Sequence, residues 1–127
     1  MSKGLYYFAH PYSCMRDGEQ IGAGVEANFR ICNYRAGELV KRGYNIFSPI
    51  SQSHPIQKAH PDLAKMCGTE EGKLWYALDN EFIERTDFDG IILAPNWESS
   101  TGCVNERKLF RSQGKPVLFY DNIVGKD

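Results

Sequence analysis

The stretch "FDGIILAPNWESSTGCVNERKLF", Phe88 to Phe110, reads as a strand, a polar turn and a helix in direct succession. Its first part, "FDGIILA", is aliphatic enough to be buried on both faces, as the strands of a parallel sheet are. The turn holds one glycine, Gly102, and the helix that follows has a natural stop at Gly114. A strand that passes straight into a helix is half of a parallel crossover unit, so repetition of this pattern decides the fold.

The pattern recurs. "GLYYFA", closed by His10-Pro11, reads as the first strand. A polar, Gly-rich loop, "PYSCMRDGEQIGAG", follows it. From Val25 to Arg42 the residues Val25, Phe29, Cys32, Ala36, Leu39 and Val40 form one apolar stripe at helical spacing, ended by Gly43. "YNIFSPI" is a short second strand broken by Pro49. A second helix spans Lys73 to Arg85, with Leu74, Trp75, Leu78 and Phe82 on one side, and "KPVLFYD" is the last strand. Between them, "SQSHPIQKAHPDLAKMCGTEEG" carries two His-Pro pairs and two glycines. It reads as a loop with one helical turn near Leu63 to Met66, long enough for a functional flap over a site.

Strands alternating with helices predict a single α/β domain over residues 1–127, a three-layer sandwich around a parallel sheet of four to five strands. In such sheets the active residues gather beyond the carboxyl ends of the strands, here the loops after Ala9, Phe47, Ala94 and Tyr120.

Composition narrows the partners. Apolar residues are 42% of the 127, charged residues 24%, and the net charge is −1. That gives no general attraction to nucleic acid or to an anionic membrane. No apolar run approaches the roughly 20 residues of a membrane helix, and the N-terminus lacks the apolar segment of a signal peptide. A cytoplasmic protein is expected. Cys14, Cys32, Cys67 and Cys103 form no CxxC pair and read as reduced thiols. His54, His60 and Cys67 match no compact zinc spacing.

Glu106 is the residue that asks for a chemical reason. At 100° per residue it falls between Leu109 and Phe110, one turn after Gly102 and Cys103, while Lys108 and Arg111 lie on the other side. A capping box needs Ser or Thr three residues earlier, and that position is Cys103. Two readings stay open: a glutamate favoured by the nearby positive helix end, or a carboxylate placed for function. The turn Ser99–Gly102 offers hydroxyls and helix-terminal N–H groups that suit a phosphate or a sugar hydroxyl, although Ser100 or Thr101 can equally be a simple N-cap. Neither a Walker loop nor a dinucleotide GxGxxG is present. Cys103 lacks the CX5R phosphatase pattern, since Leu109 stands six residues on, and reads as a structural thiol.

Asp79 is a second acid beside an apolar helical stripe. Two carboxylates on one cleft suit glycosidic-bond cleavage, one acting at the anomeric carbon and the other handling protons. Spacing does not show that Asp79 and Glu106 meet. His10 closes the first strand and His54 follows the second, so both are placed to face a pocket.

Four segments together carry a family resemblance: "YYFAHPYS", "FRICNYRAGELVKRGYNIFSPISQSHPI", "LWYALDNEFIERTDFDGIIL" and "NWESSTGCVNERKLF". They resemble the nucleoside 2-deoxyribosyltransferase-like superfamily, in particular its small bacterial and phage members. The most specific part is W-x-x-S-x-G-x-x-x-E, met by Trp97, Ser100, Gly102 and Glu106. The resemblance implies a Rossmann-like or flavodoxin-like sandwich. It implies that Glu106 is a nucleophile at C1′ of a deoxyribosyl group and that Asp79 assists at the sugar and base. Tyr7 matches the first-strand tyrosine, with Tyr6 or Tyr12 as alternatives. Ser100 and Gly102 match the turn that holds the sugar or its 5′-phosphate. Asn96, Trp97, Tyr12, His10 and His54 complete the candidate binding set. His10 stands where many relatives have glycine, which narrows the pocket or adds a donor. The implied reaction is cleavage of the N-glycosidic bond of a (deoxy)nucleoside or nucleoside 5′-monophosphate through a glutamyl-deoxyribosyl intermediate, by hydrolysis or base transfer, without metal or organic cofactor. A homodimer or higher homo-oligomer is implied, and a non-catalytic nucleotide-binding module is the alternative.

Overall fold

The computed structural model describes residues 3–12, 15–16, 19–20, 24–63 and 73–126. Four strands make one parallel sheet: β1 (Leu5–Ala9), β4 (Asn45–Phe47), β5 (Gly90–Leu93) and β6 (Val117–Phe119). Their order is β4-β1-β5-β6, with Tyr7 in register with Phe47 on one side and Ile91 on the other. This is the flavodoxin-like order, in which the chain builds outward from β1 first one way and then the other. The switch point, and the crevice that goes with it, lies between β1 and β5. A small antiparallel ribbon, β2 (Met15–Arg16) with β3 (Glu19–Gln20), follows β1.

The helices are α1 (Val25–Lys41), α2 (Pro49–Ala59), α3 (Lys73–Arg85), α4 (Thr101–Ser112) and the short α5 (Tyr120–Ile123). Strand alternation sorts them into layers. Tyr7, Ala9, Ile91 and Leu93 point to one face and pack with Ile83 of α3 and with Cys103 and Phe110 of α4. Phe8 and Ile92 point to the other face, where they meet Cys32 and Leu39 of α1 and Tyr120 of α5. The result is a three-layer α/β sandwich with both faces covered, which is why all four residues of β5 are buried.

Two glycines end α1 and α4. Gly43 (φ 91°) and Gly114 (φ 71°) take up the left-handed conformation after α1 and α4. Tyr44 N–H reaches Leu39 O at 3.2 Å and Gly43 N–H reaches Val40 O at 3.0 Å; Lys115 and Gly114 repeat the pattern on Phe110 and Arg111. These paired bonds satisfy the terminal carbonyls, and the positive φ is costly for any residue with a Cβ.

The apolar stripe of α1 is narrower than its spacing suggested. Cys32 and Leu39 are buried and Phe29 and Ala36 pack beside them, but Val25 and Val40 at the two ends are exposed. The last strand stops at Phe119, and Tyr120 and Asp121 already belong to α5.

The larger correction concerns Ser51 to Gly72. Its first part is helix α2, not loop. Pro49 occupies the first helical position, where no hydrogen bond is lost. Pro55 does lose one, at a propensity cost of about 3 kcal/mol. Tertiary contacts offset it: Ile50 enters the core, His54 is bonded on both ring nitrogens, and Gln57 Oε1 accepts from Trp75 Nε1 at 3.0 Å. Residues 64–72, including three of the four residues of the expected turn near Leu63 to Met66, lie outside the described residues, as do Cys14 and Cys67. Cys32 and Cys103 are buried thiols, not disulfides.

Candidate active site

A cavity of about 370 Å³ opens at the carboxyl ends of β1 and β5. Its size suits a small organic ligand. Both helical layers contribute to it: Val25 and Glu26 from α1, Ile50 and His54 from α2, Tyr76 and Asp79 from α3, and Ser100, Gly102 and Glu106 from the turn and α4.

Its floor is built around Tyr7. The ring is completely buried, held by Phe47, Phe88 and Phe110 at centroid distances of 5.8, 5.7 and 5.6 Å. The odd register of β1 aims it at the α3/α4 layer. There its O–H donates to Glu106 Oε2. Asp79 lines the same cavity, close enough for its charge to act on both Tyr7 and Glu106. Two acids from two helices thus come together on one cavity beside Tyr7.

Glu106 is buried, and burial pushes its carboxyl up to about 8; Tyr7's hydrogen bond opposes this and the Asp79 charge adds to it. Burial likewise pushes Asp79 up to about 7, again opposed by Tyr7. Tyr7 itself is pushed well above its ordinary range, first by burial and then by Glu106 and Asp79, so it remains a donor. The two acids act on each other through their charges and titrate as a pair that keeps a proton near neutral pH. As isolated groups, Glu106 would hold that proton longer. The Tyr7 O–H already opposes that hold, and a cationic carbon beside Glu106 would draw the proton off it.

The turn that presents Glu106 is explained by capping. Ser100 is the N-cap of α4, its Oγ accepting from Cys103 N–H at 3.2 Å. Gly102 lets the Tyr76 ring lie against the helix start: a Cβ there would stand 3.0 Å from Tyr76 Cε1. Tyr76 walls the cavity beside both acids, and its hydroxyl is pushed up by burial first and then by Glu106, Cys103 and Asp79.

The histidines are both well fixed. His10 Nδ1–H donates to Pro11 O at 2.7 Å, and its Nε2 accepts from Arg35 Nη1 at 3.0 Å, so it is held as the neutral Nδ1–H tautomer. Tyr12 Oη and His54 Nδ1 are 2.6 Å apart, and His54 Nε2 and Glu26 Oε2 are 2.7 Å apart.

Of the residues singled out from sequence, Glu106, Asp79, His10, Tyr12, His54, Ser100 and Gly102 line this cavity, with Tyr7 beneath the acids. Asn96 and Trp97 do not. Asn96 makes the turn with a left-handed backbone (φ 66°), and Trp97 packs against Phe119 and under Arg107. Both line a separate hollow beyond β5 and β6. Tyr76 and Glu26 were not singled out. Tyr76 was within reach, because it lies one helical turn before Asp79 on the same face. Among the described residues no three His, Cys, Asp or Glu side chains cluster as metal ligands, and no helix is long and apolar enough to cross a membrane.

A family model described as "Domain of unknown function (DUF1937)" matches residues 4–122. No curated protein matches the chain.

Proposed function

The chain belongs to the DUF1937 family, whose function is unknown, and we propose that it cleaves the N-glycosidic bond of a (deoxy)nucleoside or nucleoside 5′-monophosphate by way of a glutamyl-deoxyribosyl intermediate. The observation that carries this reading is the buried Glu106, held by the Tyr7 hydroxyl, with the half-buried Asp79 beside it on one cavity with aromatic walls.

Glu106 attacks C1′ as the base departs, and the sugar becomes covalently attached to its carboxyl oxygen. As Glu106 becomes the nucleophile it gives the proton of the pair to Asp79, which then serves as a hydrogen-bond donor to the sugar. Tyr7 holds Glu106 in line and, by donating to it, favours the charged form that attacks. Without a 2′-hydroxyl the ring tolerates positive charge more readily, so two acids and a tyrosine suffice. Water then releases the sugar, or a second base accepts it. Trp75, Tyr76 and Tyr12 give the cavity flat aromatic surfaces suited to a nucleobase. The resemblance of the sequence to nucleoside 2-deoxyribosyltransferases points the same way.

The test is incubation of the purified protein with deoxynucleosides and deoxynucleoside monophosphates while free base is measured. Base release by the wild type and none by Glu106→Ala supports the reading. Equal behaviour of the two proteins on every substrate refutes it. A protein that binds nucleotides in a thermal-shift assay yet releases no base would be a binding module.

A further inference from the structure

The reading above gives no chemical step to three polar groups on the cavity wall, the Tyr12 hydroxyl, the His54 ring and the Glu26 carboxylate. Tyr12 comes from the loop after β1, His54 from α2 and Glu26 from the first turn of α1. Their atoms form an unbroken chain, Tyr12 Oη to His54 Nδ1 at 2.6 Å and His54 Nε2 to Glu26 Oε2 at 2.7 Å. His54 is only 6% exposed and its ring lies 4.3 Å from that of Phe29, centroid to centroid. Asn28 Nδ2 anchors the Tyr12 carbonyl at 2.7 Å. Glu26 is kept ionised by its hydrogen bond to His54, with Lys58 at 3.6 Å and Arg30 at 3.7 Å as further partners.

Hydroxyl, imidazole and carboxylate in this order form a proton relay. The carboxylate orients the ring and stabilises it when charged, and the ring exchanges a proton with the hydroxyl. Position adds to chemistry. Tyr7, Asp79 and Glu106 reach the cavity from the β1, α3 and α4 side, whereas Tyr12, His54 and Glu26 reach it from the α1/α2 side. With the sugar carbon at Glu106, the base occupies the remainder of the cavity, beside Tyr12.

We propose that Tyr12 is the general acid–base residue for the departing nucleobase, with His54 and Glu26 as the positioning residues that supply and reclaim its proton. This rests on the N-glycosidase reading. In the first step a Glu106 oxygen bonds to C1′, the C1′–N bond breaks, and its electron pair stays with the base. The base takes the Tyr12 proton, Tyr12 takes one from His54 Nδ1, and His54 passes from imidazolium to neutral imidazole beside Glu26. In the second step water bonds to C1′, the ester C–O bond breaks with its electron pair returning to Glu106, and the proton lost by water returns through Tyr12 to His54. The substrate class is then a nucleoside whose base leaves only when protonated, on a ring nitrogen or a carbonyl oxygen.

The experiment compares wild type, Tyr12→Phe and His54→Gln on two substrates. One is a deoxynucleoside. The other is 4-nitrophenyl 2-deoxyriboside, whose nitrophenolate departs without a proton. General acid catalysis is worth about 10²–10⁴-fold. Both variants should lose about that much activity on the deoxynucleoside and less than about tenfold on the nitrophenyl substrate. Equal losses on both substrates would make the trio a structural clamp and overturn the proposal while leaving the glycosidase reading intact. Undiminished base release by both variants would overturn it in the same way. A wild type that turns over neither substrate overturns both. Glu26→Gln, which keeps an acceptor for His54, serves if Tyr12→Phe fails to fold, with the same unequal loss expected.

Discussion

Replacing Glu106 by Gln should abolish turnover and yet make the protein more stable at neutral pH. The magnitude follows from the site. In the unfolded chain the carboxyl titrates near 4.5, while burial in the fold pushes it up to about 8. Between those values the folded protein holds a proton that the unfolded chain releases, so stability is fullest below pH 4.5 and is lost as pH rises through the folded pKa. At pH 7 this costs about 3 kcal/mol. Glutamine is neutral and of similar shape, so it escapes that cost, but its amide is a weaker acceptor for Tyr7, which returns about 1 kcal/mol. The net gain is about 2 kcal/mol at pH 7, or about 8 °C in Tm for a chain of this size. At pH 5 the gain should nearly vanish. Paired thermal or urea unfolding of the two proteins at pH 5, 6, 7 and 8 reads this directly, and free-base release should fall about 10³-fold or more. An advantage that does not grow with pH, or a variant less stable than wild type at pH 7.5, would show that Glu106 is not held in a protonating, buried setting.

Four further outcomes are expected. Tyr7→Phe removes the donor that lowers the Glu106 pKa, so the ascending limb of kcat/KM against pH should move to higher pH; a limb that stays put would remove Tyr7 from the pair. Ser100→Ala deletes the N-cap of α4 and should cost about 1 kcal/mol, or about 4 °C in Tm. Gly102→Ala places a Cβ 3.0 Å from Tyr76 Cε1 and should push that ring into the cavity, raising KM about tenfold with Tm little changed. Pro55→Ala restores a hydrogen bond inside α2 and should raise Tm, by about 1–2 kcal/mol of stability; a fall would show that the segment is not helical.

Much of the fold is legible in the chain because the signals are local. Gly43 and Gly114 sit where the helical stripes end, and the aliphatic run at Ile91 to Leu93 has no polar face to show to water. Glu106 is legible for a related reason: helix angles alone set it beside Phe110, which is fully buried. The misreading of Ser51 to Ala59 has the opposite cause. Pro49 and Pro55 are breakers by local rules, and the contacts of Ile50, His54 and Gln57 that hold α2 together are all made with distant residues. Tyr7 could not be separated from Tyr6 or Tyr12, because alternation along β1 says that neighbours face opposite ways but not which face α3 and α4 will cover. Tyr12, Glu26 and His54 come together from three elements, and no spacing announces that. Asn96 and Trp97 stand in the matching segment as builders of the turn, and a matching segment does not say which of its residues hold the backbone and which face a ligand.

The most direct measurement is to trap the intermediate. The protein is incubated with a 2′-deoxy-2′-fluoro-arabinonucleoside, whose fluorine slows release of the sugar, and the intact mass and the digested peptides are read by mass spectrometry. One sugar per chain, attached within the peptide that carries Glu106 and absent from Glu106→Gln, is expected. A sugar attached to Asp79, or base release with no adduct on any carboxyl, would mean that Glu106 is not the nucleophile.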